Sequence, residues 1–121
     1  MRSVVIAVSL AMLSATAAYA GDEVMAGYIG NTAVTTGGMA DTHTYYNADH
    51  TFTMKAPSFN MEWKGTWKVD GTTLCRTYEK APPGLPSNPF CTAVEAHKIG
   101  DTWTMSSNGQ TRTISLVKGI Q

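Results

Sequence analysis

The sequence predicts an all-β protein, an antiparallel up-and-down barrel of about eight short strands, and three observations support that fold class. Apolar and polar residues alternate with a period of two across 61–69, as expected for a strand with one buried face. Turn signals such as Asp70-Gly71 and Asn108-Gly109 separate the apolar segments. No helical pattern longer than one turn is present. Successive hairpins without long crossovers favour a barrel over a sandwich.

Turn and breaker residues place the elements in order along the chain. Segment 22–30 fits either a frayed helical turn or a lead-in strand. Pro57 ends the third strand because proline cannot continue a central ladder. Four prolines within 80–89 exclude a strand or helix interior, which predicts a stiff surface loop. The predicted strands cover 31–36, 39–46 and 51–55, the two arms of a hairpin at 61–79, and then 90–97, 102–106 and 111–118.

The first twenty residues have the pattern of a secretory signal. Basic Arg2 precedes a mostly apolar run at 4–13, and small residues at 18–20 form an A-x-A cleavage site. This apolar run is too short to cross a bilayer. We therefore expect a cleaved signal peptide at 1–20 and one β-barrel domain at 21–121, periplasmic or secreted and without a membrane span.

The charge of the exported part restricts its partners. With Arg2 removed, eight basic residues stand against nine acidic ones, and the net charge is −1. A chain without a basic run offers little to nucleic acid or to an anionic membrane surface. A small-molecule ligand or a protein partner remains open, and the sequence does not determine the oligomeric state.

Cys75 and Cys91 are the two cysteines of the chain and lie in its exported part. An even pair in an oxidising compartment predicts one disulfide. Closing a loop of about 17 residues stabilises the fold by roughly 3 kcal/mol. A zinc or redox role is the alternative, but there is no C-x-x-C motif and no nearby pair of histidines.

Histidines and methionines in an exported protein also suggest copper. No two histidines stand at i, i+2, and single methionines suit core filling, so we expect no metal and no cofactor. The residues concerned are His43, His50, His97, Met25, Met39, Met54, Met61 and Met105.

Extending the alternation beyond the hairpin predicts the inside and the outside of the barrel. It places Cys75 and Cys91 on the outer face of neighbouring strands, in agreement with a bridge, and His97 also on the outside. The predicted inward residues are Trp63, Trp67, Leu74, Arg76, Tyr78, Phe90, Thr92, Val94, Trp103, Met105, Arg112, Ile114 and Leu116.

Two of these inward residues are arginines, which need an anion, a carbonyl or an aromatic face. In one interpretation Arg76 and Arg112 cap the barrel ends and stack on Trp67 or Trp103. In the other, one of them binds the acidic group of a ligand.

Gly65-Thr66-Trp67, together with Arg112 on the closing strand, resembles the lipocalin-like or calycin barrels. In those proteins the tryptophan of a G-x-W motif closes one end of the barrel and an arginine of the last strand packs across it. The resemblance implies those roles for Trp67 and Arg112. A broader pattern resembles small exported bacterial proteins of unassigned function; it consists of Gly30-Asn31-Thr32, Tyr45-Tyr46, the G-x-W, Leu74-Cys75-x-x-Tyr78, Cys91 and Gly119.

A catalytic role has one candidate. Asp41, His43 and Tyr45 share one face of the second predicted strand and could form an acid/base trio. An ordinary solvent-facing strand explains the same spacing, and we favour it. The sequence therefore predicts no catalytic residue.

An inhibitory role would use the proline-rich loop. Segment 82–89, tied at its base by the disulfide, would lose little entropy on binding a protease or a lysozyme. A simple connection between two strands is the favoured interpretation.

We therefore expect an exported, non-enzymatic binding module for a small apolar or mixed-polarity ligand. A hydrolase inhibitor of the cell envelope and a small barrel enzyme are the alternatives, and a filled interior would favour surface binding over a carrier. The predicted ligand-binding residues are Trp63, Trp67, Arg76, Tyr78, Phe90, Trp103 and Arg112.

Overall fold

The computed structural model describes residues 21–107 and 109–121, and these form one antiparallel eight-stranded sheet. The predicted signal peptide at 1–20 and Asn108 lie outside the described residues. The strands are β1 (Thr32–Thr36), β2 (Thr42–Tyr46), β3 (Thr51–Ala56), β4 (Met61–Asp70), β5 (Thr73–Tyr78), β6 (Phe90–Ala93), β7 (Thr102–Ser107) and β8 (Gln110–Val117). Two short 3-10 helices, η1 (Asp22–Met25) and η2 (Pro57–Phe59), accompany them.

Strand order gives the sheet the form of a half-barrel. Successive strands pair as hairpins from β1 to β6, and β8 returns to pair with β1 while β7 pairs with β8. β6 and β7 are therefore the two edges of the sheet. The predicted all-β class, the antiparallel up-and-down order and the number of strands are confirmed.

Two strands differ from the predicted boundaries, and one segment that the sequence left open is decided by the structure. β2 begins at Thr42 rather than residue 39, because the turn after β1 extends across residues 37–41. Segment 22–30 contains the helical turn η1 and not a strand. β6 ends at Ala93, because the following residues leave the sheet to contact the N-terminal segment. There the Tyr28 hydroxyl donates to the Glu95 carbonyl oxygen at 3.0 Å.

The side chains of the β4–β5 hairpin face the interior and the solvent as predicted. Trp67, Leu74 and Tyr78 are buried, and the intervening Lys68 and Thr77 are exposed. The alternation follows from the pleat, because successive side chains of a strand point to opposite faces. Burying these apolar side chains gives the hairpin its stabilisation.

The N-terminal segment covers one end of the barrel, which we call the closed end. Met25 is fully buried there and Tyr28 is 6% exposed. Ile29 forms a parallel bridge to Tyr46 at the end of β2. The Nε2 atom of His50, in the β2–β3 turn, lies 2.6 Å from the Asp22 Oδ2 atom of η1. The opposite end, where the β1–β2, β5–β6 and β7–β8 connections lie, is called the mouth.

The predicted disulfide is confirmed. Cys75 and Cys91 are directly opposite each other on β5 and β6, and their sulfur atoms are bonded. Asn88 holds the proline-rich loop above them, because its side-chain amide exchanges two hydrogen bonds with the backbone of Tyr78, at 2.9 and 3.0 Å. Leu85 packs against the hydrophobic core. The loop is therefore tied to the barrel by covalent, polar and apolar contacts.

Candidate functional site

The seven predicted ligand-binding residues occupy four separate places. Trp67, Arg76, Tyr78 and Phe90 form one connected group on β4, β5 and β6. Trp63 packs half-buried against the core from the mouth end of β4. The remaining two are separated from that group, since Trp103 lies near the closed end and Arg112 at the mouth.

Trp67 is fixed by three contacts near the closed end. Its Nε1 atom donates to the Asn47 carbonyl oxygen at 3.0 Å, and the Tyr46 ring meets it edge-on. The His50 imidazole stacks on its face, with ring centroids 4.2 Å apart. The sequence did not indicate that His50 lies against Trp67. The only signal was its position in the turn that faces the end of β4.

Arg112 has a different place from the one the calycin resemblance implied. It is exposed, and its Nη2 atom donates to Gln110 Oε1 at 3.0 Å. The alternation along β8 is as predicted, since Ile114 and Leu116 on the same face are buried. Position 112 lies close to the end of the strand, so its side chain reaches the mouth and not the interior.

Arg76 lies inside the barrel among aromatic rings. Its guanidinium carbon is 5.8 Å from the centroid of the Tyr78 ring and 5.7 Å from that of Phe90. Its Nη1 atom donates to the Tyr46 hydroxyl at 3.4 Å. The predicted stacking of an arginine on Trp67 is therefore replaced by contacts with Tyr78 and Phe90.

The Arg76 charge has no acidic partner within the described part of the chain. None of the ion pairs found there includes Arg76, and its Nε atom is buried without a hydrogen-bond partner. Burial lowers the pKa of Arg76, but Tyr46 and Tyr78 act in the opposite direction and the net pKa is raised. Arg76 is therefore a cation at physiological pH.

Trp103 belongs to an aromatic cluster near the closed end. The His97 imidazole stacks on it with ring centroids 3.4 Å apart, and Tyr28 meets it edge-on. His97 Nδ1 lies 3.1 Å from Asp101 Oδ2. The prediction that His97 faces outward is wrong, because the chain has left β6 before residue 97 and no longer follows the pleat.

The possible acid/base trio does not assemble. Within residues 21–107 and 109–121 no hydrogen bond joins Asp41, His43 and Tyr45. The Tyr45 hydroxyl donates instead to the carbonyl oxygen of Gln121. Burial, with a smaller contribution from Glu62, raises the pKa of Tyr45. Tyr45 therefore anchors the C-terminal residues on the outer face of the barrel.

The methionines divide into buried and exposed residues. Met25 and Met54 are in the core, and Met105 packs partly buried against it. Met39 is 96% exposed and Met61 45% exposed, so core filling was the wrong expectation for these two. Among the residues that the structure describes, no group of three or more His, Cys, Asp or Glu side chains is placed to hold a metal ion.

A groove of about 620 Å³ lies at the mouth, between three chain segments. They are residues 37–39 of the β1–β2 loop, residues 83–84 of the proline-rich loop and residues 110–112 of β8. We call this concavity the mouth groove. A smaller concavity of about 310 Å³, the β3–β4 groove, is lined by Lys55, Pro57, Asn60, Met61 and Glu62. No tryptophan lines either one.

Two glycines shape the mouth groove. Gly37 has a φ of 100°, in the left-handed region that glycine adopts without steric cost. A Cβ atom on Gly38 would lie 2.7 Å from Arg112 Nη1, so the bare backbone allows the guanidinium to rest against the loop. Both glycines lie between the first two predicted strands, and only the fold brings Arg112 beside them.

Within the described part of the chain, no helix is long and apolar enough to cross a membrane. No protein-family model, curated protein or solved structure matches this chain.

Proposed function

We propose that the protein is an exported, non-enzymatic binding module that holds a small ligand of mixed polarity in the mouth groove. One observation carries the proposal: a groove of ligand size whose lining, among the described residues, contains a single charged side chain, Arg112. That side chain hydrogen-bonds a neutral partner, Gln110. A ligand with an acidic group would therefore meet an uncompensated cation at the mouth of the barrel.

The dimensions and the chemistry of the groove support a small ligand. Its volume of about 620 Å³ lies in the range of ligand sites, roughly 300–1,000 Å³. Met39 and Pro83 supply apolar surface, and a methionine adapts to ligands of different shape. Arg112 is exposed to water, so we expect it to orient an acidic group and the apolar contacts to supply most of the affinity.

The proline-rich loop forms a rigid wall of the mouth groove, which supports ligand binding there. The proline-rich loop is tied by the Cys75–Cys91 bond and by the two hydrogen bonds of Asn88. A preorganised wall loses little conformational entropy when a ligand binds. The disulfide also supports export to the periplasm or the medium, where such bonds persist. The eight-stranded half-barrel supports a distant lipocalin-like relationship as part of the same proposal.

Two fluorescent probes of matched shape test the proposal. Anilinonaphthalene sulfonate carries one negative charge, and N-phenyl-1-naphthylamine has the same ring system without the charge. We expect the anionic probe to bind the wild-type protein about fivefold more tightly than the neutral probe, equivalent to about 1 kcal/mol. Arg112→Gln removes this difference, whereas Lys55→Gln, which removes one cation from the β3–β4 groove, preserves it.

The ε-methyl resonance of Met39 locates the probe independently. We expect this resonance to shift on titration, while that of Met61 in the β3–β4 groove stays in place. The proposal is overturned if the Met39 resonance does not move, or if Arg112→Gln and Lys55→Gln weaken the anionic probe equally.

A hydrolase inhibitor is the second candidate, because the proline-rich loop that forms one wall of the mouth groove is also a rigid loop open to solvent. Lysozyme and serine-protease activity assays distinguish it from the first. An inhibitor slows one of these enzymes at stoichiometric concentration, and replacing residues 83–84 with Gly-Ser abolishes the effect. A small-ligand module leaves both enzymes unaffected.

A further inference from the structure

We propose that the free edge of the sheet at β7 pairs with β7 of a second copy of this chain, side by side and antiparallel, to form a two-fold dimer. The proposal does not depend on the mouth groove and requires no ligand. It rests on the unused backbone groups of β7, on the absence of charge along it, and on a sequence that is complementary to itself in one register.

The two edges of the sheet do not pair with each other in the described part of the chain. Almost no Cα atom of β6 lies within 8 Å of a Cα atom of β7. Paired strands of a sheet, by comparison, are about 5 Å apart. The side of β7 that faces away from β8 is therefore not covered by β6.

The hydrogen-bond pattern of β7 shows which backbone groups are unused. Residues of an antiparallel strand alternate between those that bond to the neighbouring strand and those that point away from it. The Leu116 N–H of β8 donates to the Asp101 carbonyl oxygen at 3.0 Å, so the odd-numbered residues face β8. The residues whose N–H and C=O groups point away from the sheet are Thr102, Thr104 and Ser106. Among the described residues, no other hydrogen bond uses these groups.

The β7 edge lacks the features that usually keep exposed strands apart. Natural edges are protected by charged side chains, proline, bulges or a short length. β7 has six residues, none charged and none proline, and its register with β8 contains no bulge. β6 has four residues and follows Pro89 at the end of the proline-rich loop. Pairing through β7 therefore leaves only the protected β6 edges free, and assembly ends at a closed dimer.

One register of β7 on itself uses all the free backbone groups. With Thr104 opposite the partner's Thr104, Thr102 lies opposite the partner's Ser106, and the N–H and C=O groups of all three residues are paired. A shift of the register in either direction leaves one residue of each strand without its pair. Threonine opposite threonine is a favourable cross-strand pair, and no like charges oppose each other.

The same register brings apolar side chains together on the inner face. Trp103 and Met105 pack only partly buried against the core, so each keeps some surface exposed. In the dimer Trp103 lies opposite the partner's Met105 in a non-hydrogen-bonded pair, where side chains are closest. Contacts between a sulfur atom and an aromatic ring are favourable. Pairing therefore covers apolar surface as well as backbone polar groups.

Sedimentation velocity of the purified protein over a range of concentrations tests for the dimer. One strand pair is a small interface, so we expect a Kd on the order of 0.1 mM. Thr104→Lys places two like charges opposite each other and raises the Kd about fivefold. Thr77→Lys is the matched control, because Thr77 is an exposed threonine on β5, away from both edges. This control variant keeps the wild-type Kd.

Amide hydrogen exchange followed by NMR tests the register. In dilute solution the N–H groups of Trp103 and Met105 are protected by β8, whereas those of Thr102, Thr104 and Ser106 exchange rapidly. At about tenfold the Kd, exchange of the last three slows about fivefold, in proportion to the monomer that remains. In Thr77→Lys the same slowing occurs, and in Thr104→Lys it is reduced.

Several results would overturn the proposal. One is a protein that sediments as a monomer up to about 1 mM, and another is a dimer that Thr104→Lys and Thr77→Lys weaken equally. Protection of the Thr104 N–H in dilute solution shows that the edge is already covered within one copy. Assembly beyond a dimer contradicts the protection of β6. None of these results affects the probe test of the mouth groove.

Discussion

Replacing Gly65 with alanine is expected to destabilise the protein by about 3 kcal/mol. An ideal Cβ at this position lies 1.9 Å from the Thr77 carbonyl oxygen and 2.9 Å from Phe52 Cε1. Real Cβ contacts essentially never fall below 3.0 Å, so β4 and β5 must separate locally by more than 1 Å. The nearest atom belongs to backbone, and a change of rotamer does not relieve the clash.

The magnitude follows from what that separation disturbs. Two ladder hydrogen bonds beside Gly65 weaken, at about 1 kcal/mol each. Overpacking against Phe52 adds about 1–3 kcal/mol. Alanine recovers about 0.5–1 kcal/mol, because it restricts the unfolded chain more than glycine does. The net loss of about 3 kcal/mol is a large part of the 5–15 kcal/mol that stabilises a typical domain.

Urea unfolding followed by tryptophan fluorescence, with the disulfide intact, measures this loss. Gly71→Ala is the matched control, because Gly71 has a φ of 63° and no atom within 4 Å of its ideal Cβ. It carries the backbone cost of a left-handed residue, about 1–2 kcal/mol, without the clash. If Gly65→Ala lies within 1 kcal/mol of the wild type at an unchanged m-value, the steric argument is refuted.

Three further predictions concern stability and its pH dependence. Replacing Cys75 and Cys91 together with alanine lowers the free energy of unfolding by about 3 kcal/mol, since a loop of about 17 residues opens in the unfolded chain; urea unfolding measures it. Burial raises the pKa of Tyr28 above its ordinary 10.0. The contribution of its neutral phenol to the free energy of unfolding is therefore complete below pH 10 and is lost as pH rises further. Tyr28→Phe therefore loses less stability than the wild type as pH rises from about 10 to 12. A hydrogen bond from the Lys98 backbone N–H lowers the pKa of Asp101 below its ordinary 3.8. The contribution of the Asp101 carboxylate to the free energy of unfolding is therefore present above pH 3.8 and is lost as pH falls through the lower pKa of the folded state. Asp101→Asn shows a smaller drop in urea midpoint between about pH 6 and 2.5 than the wild type.

Each of these predictions has its own control. Reduction of the wild-type protein should reproduce the double-cysteine variant, and an unchanged midpoint after complete reduction contradicts the loop argument. Asp70→Asn is the control for Asp101, because Asp70 is an exposed aspartate at the end of a strand. Equal acid sensitivity of Asp101→Asn and the wild type contradicts the assigned role of that carboxyl. For Tyr28, a phenylalanine variant with the same loss of stability as the wild type between about pH 10 and 12 excludes burial of the phenol as the cause.

Much of the fold could be predicted from local pattern. The alternation in β4 and β5 assigned the buried faces of Trp67 and Tyr78 correctly, because the pleat repeats every two residues wherever a strand is regular. The same alternation placed Cys75 and Cys91 on the outer face of neighbouring strands, and in the structure they lie directly opposite each other. Where the chain leaves the pleat the rule fails, and His97 is the clearest case, since it stacks on Trp103.

The candidate site was much less predictable. The alternation of inward and outward side chains identified Arg76 and Arg112 as unusual inward residues. It carries no information about how far along the barrel axis each side chain lies. One side chain reaches solvent at the mouth and the other lies among rings, because their positions along their strands differ. The apposition of Gly38 to Arg112 joins segments more than seventy residues apart, and no local signal encodes it.

The sequence by itself determined the strands, their inner faces and the disulfide, because these depend on neighbours within a hairpin and on the period of the pleat. Only the tertiary structure decided which residues cover one end of the barrel and which line the other. It covered the closed end with the segment around Met25 and left Arg112 at the mouth groove. It also left Arg76 inside the barrel without an acidic partner among the described residues. The physical reason is that strand order and long-range packing bring distant segments together, whereas alternation records only which side of the sheet a residue faces.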